Sequence, residues 1–282
     1  EHKLAYKNLQ LGFRLMLYGF FVKMVIADNL SYTVSSIFND PGKWKYYWNI
    51  IGVLSFGFQI YADFFGYSLI AQGAAKLFGI ELMDNFNRPY LSNNISEFWK
   101  RWHISLSTWF RDYVYIPLGG NRVSHSKWIV NIMLVFVLSG LWHGANYTFL
   151  IWGALHGVFQ LVGIELSRRF PSLSPEKAQG IYLRIFQVWT FALVTLAWIF
   201  FRLQHFSEIK MFAKRLLVWN VEAPLGMNVN EIIISLGLIM GLLIWDSSEK
   251  PIRFAGWILP VLLIVIYFLG VFSLKQFIYF QF

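Results

Sequence analysis

The chain has 282 residues, of which 57% are hydrophobic, 20% aromatic and 14% charged, with a net charge of +9 and no cysteine. Soluble domains carry roughly 25% charged residues, so these totals exclude an ordinary soluble enzyme and indicate a polytopic membrane protein. The missing cysteines exclude a disulfide framework, a thiolate nucleophile and thiolate metal sites. With no basic stripe standing apart from the apolar segments, nucleic acid is not an expected partner.

The apolar stretches are long and continuous rather than alternating over about 10 residues, which predicts an all-α protein with six to eight membrane segments. A first span is expected over Leu9–Ala27, with Arg14 and Lys23 near its ends reaching for the headgroups. Asp28 to Lys45 reads as a loop containing the turn signal Asn39-Asp40-Pro41-Gly42. From Tyr46 to Ala75 the only charged residue is Asp63. A carboxylate there must pair, protonate or face water, so Asp63 either lines a substrate path or braces a neighbouring helix near the site.

Asn85 to Asn121 is the least membrane-like stretch. Asn94-Ile95-Ser96-Glu97 has the form of a capping box, and Pro117 with Gly119-Gly120 ends what it begins. The spacing predicts an interfacial amphipathic helix from about Ile95 to Tyr113, with Trp99, His103, Leu106 and Phe110 on its apolar stripe. Lys100, Arg101 and Arg111 lie on the other side, where they can meet lipid phosphates or an acidic donor. By itself, His103 on an aromatic stripe is more often a packed histidine than a catalyst.

Between Lys127 and Glu165 there is no Asp, Glu, Lys or Arg. A straight helix over Trp128–Ile164 would reach roughly 55 Å, nearly twice the ~30 Å hydrocarbon core, so the run must break. The small residues from Ser139 to Ala145, in Ser-Gly-Leu-Trp-His-Gly-Ala, are the natural break, and they place His143 at a discontinuity inside the membrane. Irregular backbone at that depth survives only where protein buries it or a wet cavity meets it, so His143 is either a site residue or a core histidine bonded to a carbonyl. His156, in the same run, reads as helix packing or an internal hydrogen bond. His2, His125 and His205 read as solvated.

Further spans are expected at Ile185–Phe201, about Glu231–Trp245 and Phe254–Leu274. A polar loop lies at Ser167–Lys177, and an interfacial helix is expected within Leu203–Asn230. No P-loop, dinucleotide fingerprint or metal-ligand spacing is present, so no metal site or bound cofactor is expected. An uncharged imidazole can act as general base on a hydroxyl that the acceptor brings, worth typically 10² to 10⁴ in rate.

Three segments carry a resemblance. Asn87-Arg88-Pro89-Tyr90 is followed by Ser96-Glu97-Phe98-Trp99-Lys100-Arg101-Trp102-His103-Ile104-Ser105-Leu106-Ser107, then by Trp109–Tyr113 and Ile116–Asn121. With Ser139–Gly144 and the ending Phe277–Phe282, these motifs resemble the membrane-bound O-acyltransferases, in their bacterial branch of alginate O-acetylation and D-alanyl teichoic acid transfer proteins. The resemblance implies a single membrane-embedded core over residues 1–282, with interfacial and re-entrant helices around a central tunnel. Family members are longer at the N-terminus, so further helices are expected before Glu1. It also implies that His143 is the catalytic base and His103 the second histidine across the tunnel, with Asp63, Trp99, Trp142, Asn146 and Arg111 as substrate-binding candidates. An acyl group, acetyl in the alginate branch, would pass from acetyl-CoA or a similar thioester toward hydroxyls of an exported polysaccharide at the bacterial inner membrane. Membrane lipids, a periplasmic or membrane-anchored hydrolase-like partner and the polysaccharide synthase machinery are the implied associates. The competing expectation is a transporter or acyl-conducting scaffold, since broken helices and buried titratable groups also mark transporters, although those usually show paired discontinuities.

Overall fold

A computed structural model of the chain describes residues 6–40, 42–217, 229–247 and 258–272. Among these the secondary structure is helical, with one isolated antiparallel bridge between Phe86 and Trp102. The helices are α1 (Tyr6–Phe20), α2 (Asp28–Phe38), α3 (Tyr46–Leu77), α4 (Ile95–Arg101), α5 (Ile104–Phe110), α6 (His125–His143), α7 (Tyr147–Arg169), α8 (Gly180–Arg202), α9 (Phe206–Leu217), α10 (Val229–Ser247) and α11 (Ile258–Leu269). A π-helical turn, Phe21–Ala27, joins α1 to α2, and another, Arg111–Tyr115, follows α5. Among the described residues five helices are long and apolar enough to cross a membrane: the continuous Tyr6–Phe38, α3, α6, α7 and α8. The protein is therefore an all-α multi-pass membrane protein. His2 and the motif Phe277–Phe282 lie outside the described residues.

The chain groups into two compact units, one formed by Glu1–Asp84 with Met211–Phe282 and the other by Asn85–Lys210. In the first, α1 and α3 cross with their backbones in contact, because a Cβ on Gly19 would collide with the Gly66 carbonyl and one on Gly66 with that of Gly19. Two expectations are corrected here. The expected loop from Asp28 is helical to Phe38, because its polar side chains bond back along the chain: Asn29 donates to the Val25 carbonyl at 2.9 Å and Ser31 to that of Asp28 at 2.7 Å. Lys23 does not reach for headgroups either. Its ammonium lies 2.9 Å from Asp28 and also pairs closely with Asp63, so one cation joins two buried carboxylates from α2 and α3.

The second unit is built on the α6–α7 hairpin. Gly140 and Gly153 make it close: a Cβ on Gly140 would meet the Phe149 carbonyl, and one on Gly153 the Phe136 carbonyl. Asn146 caps α7, its side-chain oxygen accepting from the Thr148 amide at 3.1 Å. Helix α8 lays Trp198 and Phe201, both almost fully buried, against this hairpin. The turn after Ile116 is tied to α6 by Asn131, whose amide donates to the carbonyls of Leu118 and Gly120.

Candidate active site

The expected single helix over Ile95–Tyr113 is two seven-residue helices with a corner at Trp102-His103. The first begins as anticipated. Asn94 Oδ1 accepts from the Glu97 amide at 2.7 Å, and Glu97 reaches back to accept from the Asn93 amide at 2.9 Å. It stops because the strand-like Asn85–Asn87 offers competing partners. Asn87 N–H donates to the Arg101 carbonyl at 2.9 Å and Ile104 N–H donates to the Asn85 carbonyl at 3.1 Å. The Asn85 side-chain oxygen accepts from both the amide and the hydroxyl of Ser105. His103 turns the corner at φ 43°, a left-handed conformation uncommon for a residue with a side chain. Such corners concentrate at functional sites.

His143 stands at the other break, the last residue of α6, with Gly144–Asn146 leading into α7. Both histidines approach Trp142, whose ring centre lies 6.0 Å from that of His103 and 4.9 Å from that of His143. Trp152 and Phe201 meet the His143 ring edge-to-face at 5.2 and 4.9 Å. His103 is buried and His143 half-buried, whereas Trp142 is 56% exposed and Tyr147 is exposed nearby. Trp142 and Tyr147 are thus the exposed aromatic residues beside the pair, where α6 passes into α7. Burial pushes the His103 imidazole down to about 4, so it is uncharged at neutral pH.

From the opposite end of α6 a groove of about 660 Å³ runs beside the helix, lined by Trp128, Ile132, Val135 and Phe136 on α6, Gln160 and Ile164 on α7, and Ser96, Trp99, Lys100, Ser107 and Arg111 before them. A chamber of about 110 Å³, lined by Trp99, Leu106, Ser107, Phe110, Val135, Phe136 and Ser139, adjoins it. Ser139 is one helical turn before His143. The positions Trp128, Ile132, Val135, Ser139 and His143 make one stripe of α6, and from Trp128 to His143 that stripe rises ~22 Å. A third cavity, about 310 Å³, shares Ser96, Gln160 and Ile164 with the groove and includes Arg168 and Lys177.

The structure thus brings His103, Trp142 and His143 together and puts Trp99 and Arg111 on the cavities. Arg111 donates twice to Asp112, at 2.7 and 3.2 Å, which holds that exposed carboxyl below the usual carboxylate range and raises the guanidinium. Asn146 caps α7, and its amide donates to the Gln204 carbonyl at 3.2 Å. Asp63 belongs to the first unit, paired with Lys23. Sequence reasoning passed over Gln160, whose side-chain oxygen is buried without a partner among the described residues while its residue lines two cavities. The available signal was its place four residues after His156 in an uncharged run. Among the described residues no three His, Asp or Glu side chains cluster as a metal site would require.

Two helix breaks bring the two histidines to one aromatic ring, and the chain belongs to the membrane-bound O-acyltransferase family, whose model matches residues 1–204. It is 40% identical over 208 residues to a peptidoglycan O-acetyltransferase of Helicobacter pylori, covering 73% of this chain and 38% of that protein. It is 43% identical over 189 residues to a protein named "Probable alginate O-acetylase" from Azotobacter vinelandii, covering 66% and 36%. A teichoic acid D-alanyltransferase of Bacillus subtilis is 35% identical over 162 residues, covering 53% and 40%. The matches span under half the length of these curated relatives.

Proposed function

We propose that this chain carries the catalytic centre of a membrane O-acyltransferase that moves a short acyl group, acetyl in the favoured reading, from a thioester such as acetyl-CoA to a hydroxyl of a carbohydrate polymer. The observation that carries the reading is the convergence of His103 and His143 on Trp142, with the chamber one helical turn from His143. A thioester donor enters from the basic end of the groove. Lys100 at the groove offers a cation to donor phosphate. The acceptor hydroxyl comes from the side of Trp142 and Tyr147.

His143, uncharged, removes the hydroxyl proton as the oxygen attacks the thioester carbonyl. The tetrahedral intermediate collapses with cleavage of the carbon–sulfur bond, and the thiolate takes the proton back from His143. His103 orients the acceptor or polarises the carbonyl. The names of the relatives, peptidoglycan and alginate modification among them, favour a polysaccharide acceptor. The same reading puts the protein at the bacterial inner membrane, with a hydrolase-like partner that delivers the group to the polymer and the polysaccharide synthase machinery as an associate.

The test is polymer acetylation in cells carrying the full-length protein with His143→Gln or His143→Ala. Loss of at least 10²-fold is expected with the variant normally inserted. Unchanged acetylation with the variant normally inserted would overturn His143 as the catalytic base.

A further inference from the structure

Trp99 stands where the groove and the chamber meet. With Ser107, Val135 and Phe136 it lines both cavities. Its indole N–H donates to Nδ1 of His156 at 3.3 Å. His156 is 0% exposed, and the proposed reaction gives it no role. An Nδ1 that accepts a hydrogen bond carries no hydrogen, so the neutral imidazole bears its hydrogen on Nε2. That Nε2 has no hydrogen-bond partner among the described residues. It sits among aromatic rings, with Trp152 centred 4.9 Å away and Trp99 5.0 Å away.

A phenylalanine would fill this space without burying an unpaired N–H, which carries a penalty. Packing therefore does not account for an imidazole here; the bond to Trp99 does. That bond fixes the indole against Phe136, whose ring it meets edge-to-face at 5.5 Å. The two rings lie in the lining that the groove and the chamber share.

We propose that His156 is a positioning residue that holds Trp99 as the partition between groove and chamber, and that this partition restricts the enzyme to short acyl groups. The inference rests on acyl transfer through these cavities as proposed above. An apolar cavity of roughly 150 Å³ takes a benzene ring. A chamber of about 110 Å³ is smaller than that, a size that suits an acetyl or propionyl group better than a six-carbon chain. Without the hydrogen bond the indole can swing, and the chamber opens into the 660 Å³ groove.

The experiment compares acetyl and hexanoyl transfer from matched thioester donors in membranes carrying the full-length protein. The variants are His156→Phe, Trp99→Phe, the double variant and His156→Asn, whose side-chain oxygen falls near the place of Nδ1. Excluding even one methylene is worth about tenfold or more. The hexanoyl-to-acetyl ratio is therefore expected to rise by roughly tenfold or more in His156→Phe and in Trp99→Phe. It should rise no further in the double variant and stay near the original in His156→Asn. Trp99→Phe carries the comparison alone should His156→Phe fail to insert. An unchanged ratio in inserted His156→Phe and Trp99→Phe proteins that still transfer acetyl would overturn the partition and leave acyl transfer standing. Binding of unreactive thioether analogues to His143→Gln protein separates the two ideas. Preference for the acetyl analogue, lost on adding His156→Phe, supports the partition without turnover. Binding of neither analogue, with no transfer by the original protein, would overturn both.

Discussion

His103 occupies a left-handed corner that disfavours any residue with a Cβ, by about 1 kcal/mol or somewhat more. His103→Gly should therefore be more stable than His103→Ala by about that amount, measured as unfolding midpoints in one detergent, while both lose acyl transfer. The same residue gives a pH dependence with a definite sign. Its imidazole titrates near 4 when folded and near the ordinary 6.5 when unfolded. Between these values the unfolded chain binds the extra proton, so stability is fully present above about pH 6.5 and falls as the pH is lowered toward 4. In His103→Gln the unfolding midpoint should depend less on pH across that window. An equally steep dependence would move its origin to another group.

At the scale of elements, the site depends on how closely α6 and α7 approach. Gly140→Val would drive a branched side chain into the Phe149 carbonyl of α7, so a loss of roughly 1 to 3 kcal/mol and a displaced His143 are expected. Inserted protein per cell and residual acetyl transfer would register both. The link between α2 and α3 is electrostatic instead. Lys23→Met leaves Asp28 and Asp63 buried without their cation, which costs about 3 to 5 kcal/mol, and adding Asp63→Asn should recover part of that loss. If the double variant unfolds as readily as Lys23→Met alone, repulsion between the carboxylates is not the cause. Element type was legible because charge-free runs and cap residues are local signals, as Asn94 with Glu97 illustrates. The corner at His103 was not, because helical spacing continues through it. It arises from Asn85, which lies 18 residues earlier and competes for the same backbone groups.

For the whole molecule, the placing of the cations gives a testable orientation. Residues 76–127 hold Lys76, Arg88, Lys100, Arg101, Arg111, Arg122 and Lys127 against Glu81, Asp84, Glu97 and Asp112, and the positive-inside bias predicts the cytoplasmic side for this stretch. On that prediction the start of α6 and the end of α7 face the cytoplasm, with the α6–α7 turn opposite. The absence of cysteine makes this directly measurable. A single Ser126→Cys should react with an impermeant thiol reagent only in opened cells, and Ala145→Cys in intact spheroplasts. The reverse pattern would invert the route proposed for donor and acceptor.

By itself the sequence determined that the protein is a helical membrane protein, that its central run must break, and that His143 sits at the break. These follow from hydrocarbon thickness, the scarcity of charge and the position of small residues, all of which are properties of neighbouring residues. Tertiary structure decided that Lys23 joins two carboxylates rather than meeting lipid, that Asn146 is used as a cap, that His103 and His143 share Trp142, and that Trp99 donates to His156. Each of these depends on which distant side chain arrives within hydrogen-bonding or van der Waals reach, and that is settled only when the helices pack.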